Sequence, residues 1–84
     1  MTIKLLYFAS LRERLGTPGE SLELPAGVDS IAALRGHLAA RGGDWQVFAT
    51  STSLRAAVNQ AMAGPEAGVK AGDEVAFFPP VTGG

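Results

Sequence analysis

Two short segments at opposite ends of the chain, Ile3 to Phe8 and Glu74 to Phe78, are apolar on both of their alternating faces. In the first, Ile3, Leu5 and Tyr7 share one face, with Lys4, Leu6 and Phe8 on the other. In the second, Val75 and Phe77 share one face, with Ala76 and Phe78 on the other. A strand that is apolar on both sides belongs inside a sheet, where neither face is free to be wholly polar. Both segments are therefore expected as interior strands of a sheet. With 84 residues, the chain has room for a single domain and a small core.

The remaining pattern fits around that sheet. Leu11 to Leu15 reads as one helical turn closed by Gly16, and Thr17-Pro18-Gly19 as a turn. Ser21 to Leu24 alternates as a half-buried strand that can form a hairpin with the first. Asp29 or Ser30 is placed to cap a helix that carries Ile31, Leu34 and Leu38 at helical spacing and stops at Gly42-Gly43. Trp45, Val47 and Phe48 fall in a segment without clear period and are expected to cap the core. Leu54 to Asn59 reads as a strand, Asn59-Gln60 as a turn, and Ala61 to Ala63 as a short strand. The order predicts an α+β domain of β-grasp (ubiquitin-like) type, a mixed sheet packed on one main helix. Its first and last strands would lie parallel at the centre. Tyr7 and Phe8 are both expected in the core.

Composition removes whole classes of chemistry. There is no cysteine and one histidine, His37, so thiolate metal sites, cysteine nucleophiles and a histidine triad have little to work with. His37 is expected at the solvated surface, and Arg12, Glu13 and Arg14 as a solvated turn. A formal net charge of -1 without a basic face argues against nucleic acid as a partner. No apolar run is long enough for a bilayer, and the Met1-Thr2-Ile3-Lys4 start lacks a signal-peptide layout, so a cytoplasmic location is expected.

What remains is the end of the chain, Pro79-Pro80-Val81-Thr82-Gly83-Gly84. Two prolines cannot continue a ladder and favour a stiff, extended backbone. Five extended residues, Pro80 to Gly84, reach roughly 17 Å at about 3.3–3.6 Å each. Terminal glycines let an enzyme and a nucleotide approach the carboxylate closely. A chance Gly-Gly end is expected in roughly 0.5% of chains, so the pair draws its meaning from the strand and the Pro-Pro before it. Residues 79–84 are expected to project from the domain. Ordering such a tail costs about 1–2 kcal/mol per residue, and burying Phe78 returns only about 1.5–3 kcal/mol. A docking face beside the last strand must supply the rest.

Three segments carry a resemblance: Ile3 to Gly16 (IKLLYFASLRERLG), Leu54 to Gln60 (LRAAVNQ) and, most specifically, Gly72 to Gly84 (GDEVAFFPPVTGG). On these the chain resembles the small, sulfur-carrying subunits of molybdopterin synthase. The resemblance implies a non-catalytic carrier with no permanently bound cofactor. A partner adenylating enzyme would consume ATP to adenylate Gly84, and a sulfurtransferase step would then leave a C-terminal thiocarboxylate, with no prior processing of the chain. The charged carrier would dock on the large, catalytic synthase subunit in a heterotetramer and pass sulfur to cyclic pyranopterin monophosphate. Gly84 would carry the reactive atom, Gly83 and Thr82 would fit the tunnel, and Phe78, Pro79, Pro80 and Val81 would join the docking patch. Carriers serving thiamine or tRNA thiolation share this fold and ending. A ubiquitin-like modifier is a further alternative, for which only Lys4 and Lys70 could extend chains.

Overall fold

The computed structural model describes residues 2–79. In chain order the elements are β1 (Thr2–Tyr7), α1 (Ala9–Leu15), β2 (Gly19–Glu23), α2 (Ile31–Ala39), a 3-10 turn (Gly43–Gln46), α3 (Val47–Thr50), β3 (Arg55–Val58), β4 (Ala61–Ala63) and β5 (Glu74–Phe78). The five strands form one sheet in the order β2-β1-β5-β3-β4. β1 and β5 run parallel, with Leu5 opposite Val75 and Tyr7 opposite Phe77. The other pairs are antiparallel. The two doubly apolar segments are thus interior strands, as their pattern suggested, and are neighbours, as the β-grasp order predicted.

Local chemistry sets each element. Ser30 caps α2, its side-chain oxygen accepting from the Ala33 N–H at 3.1 Å, which is worth about 1 kcal/mol. α2 ends at Ala39, three residues before Gly42 takes the left-handed φ that glycine tolerates (78°). α1 is a full seven-residue helix closed by Gly16 at φ 77°. At Gly19, where β2 meets β1, a Cβ would lie 2.3 Å from the Leu5 carbonyl oxygen, so only glycine fits that approach.

The core lies between one sheet face and α2. Ile3, Leu5, Tyr7, Val75 and Phe77 meet Ile31, Leu34 and Leu38, and Phe48 fills the remaining space. Phe48 stands edge-on to Phe77 with ring centres 5.0 Å apart. The segment of weak period therefore supplies one fully buried ring, with Trp45 and Val47 packed half-buried around it. Tyr7 is buried, but Phe8 is 45% exposed. Its expected place in the core is corrected: Phe8 follows Tyr7 by one residue, so the strand pleat aims it at the opposite side.

Candidate functional site

The opposite side of the sheet keeps an apolar surface. The register aligns Met62 with Ala57, Ala57 with Ala76, and Ala76 with Leu6, giving a band across β4, β3, β5 and β1. Leu6 and Ala76 are half-buried, Ala57 is buried by its neighbours, and Met62 is 67% exposed. Phe8 and Phe78 extend the band where β1 and β5 end, the Phe8 N–H donating to the Phe77 carbonyl at 3.2 Å. Helix side chains pack on the other face, around Leu5 and Phe77. A row of apolar side chains left uncovered in a domain this small is the mark of an interaction surface.

β5 leads directly from the core to the tail root. Val75 and Phe77 point inward and are fully buried. Phe78 points to the uncovered face and is half-buried, and Pro79 is half-buried beside a small cavity lined by Leu11, Arg14, Val47 and Leu54. Of the residues expected at the docking patch and tail, Phe78 therefore stands at the edge of the apolar face, whereas Pro79 lies toward α1 and α3 on the helix side. Pro80, Val81, Thr82, Gly83 and Gly84 lie outside the described residues. Sequence reasoning missed Leu6, Phe8, Ala57 and Met62 as members of this face. The signal was present in the alternation of β1, but Met62 needed the hairpin register to place it.

Two polar clusters brace the sheet. Asp73, buried just before β5, accepts from the Lys70 backbone N–H at 2.9 Å and from Asn59 Nδ2 at 3.0 Å. These bonds hold its carboxyl below the ordinary range, the Lys70 N–H being the larger cause. On the other flank, the Tyr7 hydroxyl donates to Glu20 Oε2 at 3.0 Å. Arg41 donates to both Glu20 oxygens at 2.8 Å and lies 4.4 Å over the Trp45 ring. Burial, and then Glu20, push the Tyr7 phenol well above its usual value, whereas the Arg41 bond chiefly holds Glu20 down. His37, near the end of α2, is half-buried, and Arg14 stands 3.5 Å from Asp44. Among the described residues no helix is long and apolar enough to cross a membrane.

The strand order and the single main helix against one face define a ubiquitin-like β-grasp domain. SAMP1 from Haloferax volcanii superposes with a TM-score of 0.79 at 24% identity, with all of both chains covered. One chain of the complex of subunits 1 and 2 of molybdopterin-converting factor from Helicobacter pylori 26695 superposes with a TM-score of 0.67 at 19% identity, again over both whole chains. At those identities the likeness concerns the fold. The ThiS family model matches residues 5–84, and the chain belongs to the ThiS family. It is 45% identical over 82 residues to the molybdopterin synthase sulfur carrier subunit of Escherichia coli (strain K12), covering 98% of this chain and 99% of that protein.

Proposed function

We propose that this chain is the sulfur carrier subunit of molybdopterin synthase. The single observation behind this reading is geometric. β5 runs from buried Phe77 to Phe78 on an uncovered apolar face, and the sequence then continues through Pro79-Pro80 to Gly83-Gly84. The 45% identity to a protein of that name supports the same reading.

The chemistry follows from what a carboxylate can do. A terminal carboxylate is a poor electrophile. An activating enzyme would bring its oxygen onto the α-phosphorus of ATP, with pyrophosphate leaving, to form an acyl-adenylate at Gly84. Sulfide would then attack the carbonyl and expel AMP. A sulfurtransferase persulfide would instead expel AMP to give an acyl disulfide, whose S–S bond a thiol must then reduce, leaving with the outer sulfur as a disulfide. A thiocarboxylate remains, a soft nucleophile at neutral pH. The carrier itself needs no base, metal or bound cofactor for these steps; both are carried out in the partner's site.

Docking must precede transfer. Ordering six tail residues costs on the order of 6–12 kcal/mol. The apolar band of Leu6, Phe8, Met62 and Phe78 is the surface placed to offset that cost, because it ends where the tail begins. The complex of subunits 1 and 2 of the Helicobacter pylori factor supports a large subunit as the partner. In that subunit's site the thiocarboxylate would give its sulfur to cyclic pyranopterin monophosphate, and two rounds would complete the dithiolene.

Intact mass after co-expression with an activating enzyme and a sulfur donor tests the reading. One oxygen replaced by sulfur, localised to Gly84 by fragmentation, is expected, together with sulfur transfer to cyclic pyranopterin monophosphate once the large subunit is added. A charged protein that transfers sulfur only to a thiazole or tRNA acceptor would overturn the assignment.

A further inference from the structure

The described cations divide into those that are committed and those that are not. Arg41 is clamped on Glu20, Arg14 stands beside Asp44, and Lys70 stands beside Asp73. Arg35 donates to the Phe48 carbonyl at 2.9 Å and to the Ser51 carbonyl at 2.6 Å. Lys4 lies opposite Glu74 in the β1–β5 register, at the far end of the outer face from the tail root. Arg12 is exposed on α1. Arg55 is different in position. It opens β3, is exposed, and has no hydrogen-bond or ion-pair partner among the described residues.

Arg55 also sits at a particular place. Its register partner is Phe78, the last strand residue before Pro79. With alternate residues pointing to opposite faces, Arg55 shares the outer face with Phe78 and Ala57. It further lines an open cleft at the β4 edge together with Met62, Pro65 and Arg35. Since Arg35 already serves two carbonyls, Arg55 is the one guanidinium of that cleft left to a ligand. A protein of net charge -1 thus places an uncommitted cation beside Phe78, at the tail-root end of its apolar face.

We infer that Arg55 is a specificity contact of docking, pairing with an Asp or Glu carboxylate that the partner presents at the rim of its own apolar surface. This rests on the docking face described under the proposed function. Charge complementarity sets the pairing. A guanidinium beside apolar groups is partly desolvated when a partner covers them, and an unpaired charge there would oppose binding. A carboxylate matches its planar fork with two parallel hydrogen bonds, which an ammonium cannot do. A rim cation also acts at a distance, so its effect lies chiefly in the association rate and its salt dependence, whereas buried apolar anchors act on dissociation.

The test measures association and dissociation rates of the full-length, uncharged carrier with the large synthase subunit, without nucleotide, from low to high ionic strength. Arg55→Ala should slow association about three- to tenfold at low salt, converge on the unsubstituted protein at high salt, and flatten the salt slope. Arg55→Glu should be slower still, and Arg55→Lys intermediate. Phe78→Ala and Met62→Ala should speed dissociation with the salt slope unchanged. Because Arg55 is exposed, thermal unfolding of its variants should match that of the parent. If Phe78→Ala and Met62→Ala weaken binding while Arg55→Ala associates normally at every salt concentration, the Arg55 inference is wrong and the docking face stands. If neither Phe78→Ala nor Met62→Ala alters binding, the docking face itself is wrong. An Arg55→Ala defect seen only in ATP-dependent charging would place a nucleotide phosphate there instead and overturn the carboxylate.

Discussion

Asn59 ties the β3–β4 turn to the start of β5 through Asp73: its Nδ2 donates to Asp73 Oδ1 at 3.0 Å, and its own Oδ1 accepts from the Glu74 N–H at 3.0 Å. The bond links residues fourteen positions apart and holds the strand that delivers the tail. Asp73 is depressed below the 3.8 of a free aspartate, first by the Lys70 N–H and then by Asn59. A depressed carboxyl stabilises the fold above its unfolded value. That contribution disappears as pH falls through the folded value, because the unfolded chain binds the proton first. Asp73→Asn should therefore shrink the loss of stability below about pH 4, while costing about 1–3 kcal/mol at neutral pH. Glu20, held down by Arg41, should retain the rest of the acid limb. Urea unfolding across the acid range checks this; an unchanged acid slope would refute the role given to Asp73.

The flank near Tyr7 should respond to base. Burial raises this phenol, so the unfolded chain ionises first as pH climbs past 10.0, and stability falls from there upward. Tyr7→Phe should remove that alkaline loss at a cost of about 0.5–1.5 kcal/mol near neutrality, Glu20 keeping its Arg41 partner. As the chain has one tyrosine, tyrosinate absorbance reports the titration directly. Ionisation at the free value would contradict the buried placement.

Asn59 and Gln60 both adopt left-handed backbone, with φ of 51° and 71°. Asparagine tolerates this region and glutamine does so less well. Gln60→Gly should stabilise the hairpin by about 0.5–1 kcal/mol, raising Tm by roughly 2–8 °C. A lower Tm by calorimetry would show that Gln60 makes a compensating contact.

Adjacent phenylalanines should separate stability from binding. Phe77 is fully buried, so Phe77→Ala should cost about 3–5 kcal/mol. Phe78→Ala should cost far less, yet weaken docking on the large subunit. Chemical denaturation and a binding isotherm distinguish the two; a large stability loss at Phe78 with normal binding would return it to the core.

Removing Gly84 should leave the thermal transition in place, because every core residue among the described residues lies between Ile3 and Phe77. It should abolish thiocarboxylate formation. A truncated chain that still charges would refute Gly84 as the reactive residue.

Much of the fold was legible because period carries it. The double apolar alternation of β1 and β5 put them inside the sheet, Ser30 announced the helix start, and Ile31, Leu34 and Leu38 marked its inner face. Phe8 was misread because an aromatic residue in a central strand is consistent with either face, and nothing local says which face a helix covers. Arg55 and Met62 were unreadable as neighbours of Phe78 and Ala57, since strand register is a long-range property.

By itself the sequence determined the alternation of β1 and β5, the turn at Asn59-Gln60, and a chain ending in Pro79-Pro80-Val81-Thr82-Gly83-Gly84. Each depends on backbone geometry within a few residues. Tertiary structure alone decided which face of the sheet stayed bare, and that Met62, Arg55 and Phe78 lie on it. A side chain's face is settled only when α2 and Phe48 cover the opposite one, and burial of that kind belongs to the whole assembly of strands.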